Sequence, residues 1–259
     1  MATQNNPIYQ LPFLYMNGLN VSVASNTTLS IASGQCRDSN DVMDIVIGSA
    51  PFNGSDTDAP VTLNAAVNGA NGLDTGSFAA SKVYAVYAIG DSRGYEAPAV
   101  LLSLASSSSP TMPFGYDSYR KIGYAVSDAS VHFLPAYVAG NNNYRQFAFD
   151  APQATAITAG NATSYTAVSL LALVPPVENT PVSIAYAFTP GAAGRALNLT
   201  PGNATGNAVT ITGQVNAVVI SGNATVMSKV TSSVPEVDYK VANSGDAVDL
   251  KVAGFDFFI

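Results

Sequence analysis

The sequence has one cysteine, one histidine and no tryptophan in 259 residues, and only 10% of its side chains are charged. A lone Cys36 excludes an intrachain disulfide and any multi-cysteine zinc site, so packing or assembly must stabilise the chain. The charged share is far below the roughly 25% usual in soluble globular proteins, so neutral Ser, Thr and Asn side chains must supply solubility. The ten Lys and Arg are scattered and the net charge is −7, which makes a phosphate-tracking surface, and hence nucleic acid as a partner, a poor fit. Apolar stretches such as 97–104 and 168–176 are broken by Ser or Pro well before the ~20 residues that cross a bilayer, so no membrane insertion is expected. The N-terminal Met-Ala-Thr-Gln-Asn-Asn-Pro lacks the basic and apolar regions of a secretory signal, and the expectation is a chain that stays in the cytoplasm that made it.

Motifs of common enzyme classes are also missing. There is no Gly-x-Ser-x-Gly elbow, no His-Glu-x-x-His, no Walker loop and no Rossmann glycine fingerprint. His132 stands in Val131-His132-Phe133-Leu134, a strand-like apolar context suited to a hydrogen-bonded structural imidazole. Arg37 beside Cys36 suits thiol activation, but a small buried hydrophobe at a strand end is the simpler reading. Asp38, Asp41 and Asp44, with Asp56 and Asp58, offer oxygen ligands for calcium, yet their spacing does not match an EF-hand and fits turn carboxylates better. Glycoside cleavage needs two carboxylates ~5 to 10 Å apart across a cleft, and nothing in the sequence pairs them. We therefore expect no catalytic residues, no cofactor and no metal. The sequons at Asn20, Asn26, Asn53, Asn161, Asn198, Asn203 and Asn223 follow from the richness in Asn, Ser and Thr rather than from glycosylation.

What is present is β-forming. Gly and Pro number 21 and 15, and no apolar 3.6-residue period persists for three turns. Val182, Ile184, Tyr186 and Phe188 alternate with Ser183, Ala185 and Ala187, which predicts a strand with one buried face. Val248, Leu250 and Val252 alternate with Asp249 and Lys251 before the aromatic segment 255–259, so the C-terminus is expected to be docked. Residues 82–89 are apolar at nearly every position, as in a central strand covered on both faces. Segments 90–94, 141–143 and 243–246 combine turn-forming residues and predict loop tips, while 106–113 and Pro175-Pro176 read as punctuation. The fold class is all-β, an antiparallel sandwich or jelly-roll-like arrangement in two packed β-domains, 1–150 and 151–259. The boundary is set where the aromatic-rich run 144–149 gives way to a Thr-, Ala- and Val-rich half.

Two segments, Leu29-Ser30-Ile31-Ala32-Ser33-Gly34-Gln35-Cys36-Arg37-Asp38-Ser39 and Gly115-Tyr116-Asp117-Ser118-Tyr119-Arg120-Lys121-Ile122-Gly123, resemble stretches of a family of tailed-phage virion structural proteins. Asn71-Gly72-Leu73-Asp74-Thr75-Gly76 and Tyr239-Lys240-Val241 fit the same pattern, so the resemblance runs from about Met16 to Phe255. It implies a non-enzymatic particle component located in the virion, either a tail fibre or adaptor protein contributing to host attachment, or a capsid decoration or head-fibre protein stabilising the shell. The other classes weighed are a polysaccharide-degrading enzyme and a free carbohydrate-binding module. Partners under this reading are identical subunits in a trimer, other virion proteins and a host surface glycan. Tyrosines offer large amphipathic contacts, although the absence of Trp weakens sugar binding. Exposed apolar termini are costly unless covered, so residues 7–13 and the C-terminal aromatics are the expected intersubunit contacts, specifically Phe13, Tyr15, Phe255, Phe257 and Phe258.

Overall fold

The structure, a computed structural model, describes residues 12–48, 59–105, 109–141, 144–155, 157–202 and 209–258. Residues 7–11, Asp56, Asp58, Asn142, Asn143, Ile259, residues 106–108 and the sequons at Asn53 and Asn203 lie outside the described residues. The chain is all-β, and no helix occurs among the described residues. It forms two compact units, Met1–Phe147 with Phe257–Ile259, and Ala148–Asp256.

The first unit contains β1 (Met16–Gly18), β2 (Val21–Val23), β3 (Thr28–Ile31), β4 (Gly34–Arg37), β5 (Asp44–Ile47), β6 (Val61–Asn64), β7 (Gly72–Leu73), β8 (Val83–Gly90), β9 (Ala99–Leu104), β10 (Ser118–Val126), β11 (Ala136–Asn141) and the start of β12 (Tyr144–Ala154). They run in the orders β1-β4-β5, β10-β8-β9-β7 and β12-β11-β2-β3-β6. The second unit contains the rest of β12, then β13 (Thr166–Ser169), β14 (Pro181–Thr189), β15 (Ala196–Pro201), β16 (Val209–Thr212), β17 (Ile220–Met227), β18 (Lys229–Thr231), β19 (Val234–Val241) and most of β20 (Ala247–Phe258). Its orders are β17-β14-β20 and β13-β19-β15-β16, with β18 also on β19. The division between units falls inside a continuous strand, β12, rather than in a loop.

The apolar run of β8, between β10 and β9 in its sheet, is buried at every position. Alternation fails there because neither face of the strand meets water. In β14 the alternation holds at three of the four expected positions: Val182, Ile184 and Phe188 are fully buried and Ser183, Ala185 and Ala187 half-buried, but Tyr186 is half-buried as well.

Strand β20 buries Val248, Leu250 and Val252 and then changes parity, burying Phe255 and Phe257. The cause is a bulge: Ile184 pairs with Val252 but Ser183 pairs with Gly254, so Ala253 is the extra residue. One inserted residue swaps the faces of everything beyond it, which turns the terminal phenylalanines inward.

Charge also enters the first unit's interior. Arg145 on β12 is completely buried. Its guanidinium donates to the Met16 Sδ at 2.7 Å, the Leu19 carbonyl at 3.2 Å and the Asn20 Oδ1 at 3.0 Å, tying β12 to the β1–β2 connection. Burial pulls its pKa down to about 10, which leaves it charged at neutral pH.

Candidate functional site

The most distinctive surface of the first unit is built on two short loops, one leaving β8 and one entering β10. The chain turns at Asp91-Ser92-Arg93-Gly94, where Gly94 adopts a left-handed φ of +74° and donates its N–H to the Asp91 carbonyl at 2.9 Å. The Asp91 carboxylate is buried and organises the turn. It accepts the Arg93 backbone N–H at 3.0 Å, the Arg93 Nε at 2.8 Å, the Tyr95 N–H at 3.0 Å and the Glu96 N–H at 3.2 Å. Burial opposes its charge, but the Arg93 guanidinium and these amides outweigh burial and hold its pKa down at about 2.

The second loop, Pro113 to Asp117, is fastened to the first. Ser92 donates its N–H at 2.8 Å and its hydroxyl at 2.6 Å to the two oxygens of Asp117. Arg93 Nη2 donates to the Gly115 carbonyl at 2.8 Å, and the Tyr116 hydroxyl donates to the Ala97 carbonyl at 2.9 Å. Gly115 sits at a φ of +92°, a conformation that L side chains rarely adopt, so the backbone of this loop demands glycine.

This bracing holds two aromatic rings in water. Tyr95 is 82% exposed and Phe114 is 100% exposed. The Arg93 guanidinium lies 5.8 Å from the centre of the Tyr95 ring. A rigid scaffold beneath exposed rings lowers the entropy that binding must overcome, which is what a contact surface needs. Asp117 shares the downward shift of Asp91: burial works against its charge too, but Ser92 and Ser118 lower its pKa. A general acid for glycoside cleavage needs the opposite shift.

The residues expected at intersubunit contacts separate into two groups. Phe13 is 59% and Phe258 67% exposed, and the Phe258 ring packs 5.7 Å from Tyr144. Tyr15 is half-buried, with its hydroxyl 3.5 Å from the Gln35 Nε2. Phe255 and Phe257, by contrast, are only 1% and 5% exposed within the chain itself. Phe257 packs edge-on against Tyr124 at 4.8 Å. The β20 bulge is the physical reason, since it directs both rings into cores; of the residues expected at intersubunit contacts, only Phe13 and Phe258 are largely exposed.

The other singled-out residues have structural surroundings. Cys36 on β4 is fully buried, and burial pushes its thiol pKa up to about 12, so it is an inert hydrophobe. Asp38 is buried rather than solvated: one carboxylate oxygen accepts the Val42 and Met43 N–H groups at 2.7 and 2.9 Å and the other accepts Asn40 at 3.2 Å. Asp41 and Asp44 pair with the buried Arg37 at 2.6 and 3.0 Å. Among the described residues no group of three or more His, Cys, Asp or Glu side chains is placed to hold a metal ion. His132 is in a turn, not a strand. Asp128 folds that turn by accepting the Ser130 and His132 N–H groups, each at 2.8 Å, and the imidazole is half exposed.

Tyr95 and Phe114 were not singled out by sequence periodicity. Their signal is position: each is an aromatic residue adjoining a Gly- or Pro-containing turn instead of alternating within a strand. Comparison with known proteins finds no family model that matches the chain and no curated protein similar to it.

Proposed function

We propose that this chain is a non-enzymatic structural component of a tailed-phage virion, a tail fibre or adaptor protein that contributes to host attachment through the Tyr95 and Phe114 tip. The observation that carries the reading is the tip itself. A buried carboxylate, an arginine and a hydrogen-bonded second loop brace two rings that are left largely exposed. Exposed aromatic area of this kind gains free energy only when another molecule covers it. The resemblance of segments 29–39 and 115–123 to virion structural proteins supplies the setting, and the second of these segments begins in the loop that carries Phe114.

The mechanism is presentation. The β-sheets fix the ends of both loops, the Asp91 and Asp117 carboxylates fix their course, and the rings meet a surface glycan or partner protein with little ordering left to do. Tyr95 adds a hydroxyl that hydrogen-bonds while its face stacks, and Arg93 beside it offers donors to carbonyl or carboxylate oxygens.

Quantitative mass spectrometry of purified particles, referenced to the major capsid protein, tests the setting. A few to a few tens of copies per particle is the expected result. Hundreds of copies would favour shell decoration instead, and absence from the particle would overturn the virion reading.

A further inference from the structure

Strand β17 ends its sheet: β14 lies along one side of it and, among the described residues, no strand lies along the other. Free edges invite pairing with other chains, and proteins protect them with short strands, Lys, Pro or bulges. The other edges here follow that rule. Edge strands β1, β5, β6, β7, β13 and β16 have two to four residues each, and β10 carries Lys121 and a bulge between Lys121 and Gly123. Strand β17 has eight residues, pairs with β14 without a register shift over its whole length, and contains neither proline nor charge.

The neutrality extends well past the strand. No charged residue occurs between Arg195 and Lys229, in a chain whose net charge is −7. The inward side chains Ala224 and Val226 are buried, while Ser221, Asn223, Thr225 and Met227 face out. Val215, Val218 and Val219 are about half exposed on the approach to the strand.

We propose that the β17 edge is an interaction surface for a second copy of this chain, joined by antiparallel strand addition about a two-fold axis. Two acidic chains repel wherever their charged surfaces meet, and the segment between Arg195 and Lys229 is where they approach without that cost. A two-fold pairing of β17 with itself sets neutral Ser, Asn and Thr side chains beside one another on one continuous face, with no like charges opposed. Backbone N–H and C=O groups along the edge gain partners, and the neighbouring valines gain cover. The trimer expected from the sequence would require a further contact, since a self-paired edge closes at two copies.

Sedimentation of the full-length chain from about 1 to about 100 µM tests this. The average mass should rise with concentration from that of one chain, 26.6 kDa, toward twice that value. The double change Ser221→Lys with Thr225→Lys should weaken self-association at least about tenfold by setting like charges across the pair. Ser221→Asp with Thr225→Asp should do the same, and an equal mixture of the two variants should associate again. A wild-type chain that stays at single-chain mass, or a Lys variant that associates like wild type, overturns the proposal. Hydrogen exchange of the wild-type chain provides the check that needs no variant. Slower exchange of β17 amides at high concentration supports the edge, and association that leaves those amides unchanged overturns it.

Discussion

Each unit contains a turn organised by one buried aspartate, and the two turns differ in what they carry. In the first unit Asp91 gathers three backbone N–H groups and the Arg93 guanidinium. In the second, Asp246 accepts the Gly191 N–H at 2.7 Å, the Asn243 N–H at 2.9 Å and the Arg195 Nη1 at 3.0 Å. The same device of a desolvated carboxylate, backbone donors and one arginine fixes the loop course in both places. Around Asp246 the exposed residues are Asn243, Ser244 and Gly245, whereas around Asp91 they include Tyr95 and Phe114. The aspartate is therefore a folding device, and only one of the two turns has exposed aromatic rings beside it.

The largest expected effect concerns the core of β20 rather than the turns. Phe255→Ala should cost about 3–5 kcal/mol by leaving a cavity under β20, whereas Phe258→Ala, on an exposed ring, should stay within about 0.5 kcal/mol. Urea midpoints at constant slope measure both. Equal losses would mean that the β20 bulge does not separate core from surface as the structure has it.

Alkaline pH should weaken the first unit. Burial raises the Cys36 thiol from its ordinary 9.0 to about 12, and burial, then the neighbouring Tyr124, Tyr119 and Asp74, raise Tyr87 to about 12. Tyr124 is also raised, by burial. The unfolded chain ionises these groups at lower pH than the folded chain does, so stability present below about pH 9 is lost as pH rises toward 12. Denaturant midpoints recorded across that window should fall steadily; a flat profile would contradict the burial of these groups.

Acid should loosen the tip turn. The folded pKa of Asp91 is about 2 against an ordinary 3.8, so its contribution is complete above pH 3.8 and is lost as pH falls toward 2. Exchange of the Tyr95 and Glu96 amides should accelerate in that interval. The Asp246 carboxylate is lowered as well, with burial opposing and the Gly191 amide and Arg195 lowering it, so the Gly191 and Asn243 amides should respond in the same direction. Asp91→Asn should remove the acid response at Tyr95 and leave that at Gly191 in place.

Much of the fold is legible in the sequence, because strand periodicity is a short-range property. The buried run of β8 and the alternation in β14 and in the first half of β20 all follow from side chains two positions apart. What depends on distant pairing is not legible. The Ala253 bulge is set by register against β14, and it reverses the role expected of Phe255 and Phe257. Arg145 reads as an ordinary surface cation until β12 is placed against the β1–β2 connection, where four acceptors surround it. The division inside β12 lies a few residues from the composition change after 144–149, but that it falls within a continuous strand, and that Phe257–Ile259 belong to the first unit, depends on distant pairing. Half of the candidate site was visible, since the turn at 90–94 is written in its residues. That the loop at 113–117 lies beside it, joined through Ser92 and Asp117, is a consequence of β8 and β10 pairing antiparallel with Gly90 opposite Ser118.

The most direct test is host adsorption by particles carrying Tyr95→Ser together with Phe114→Ser. Particle yield and thermal stability should match wild type, because neither ring contributes to a core, while the adsorption rate should fall at least about tenfold, as expected when two anchor side chains are lost. Adsorption at the wild-type rate with both rings removed would contradict the assignment of this tip as the attachment surface.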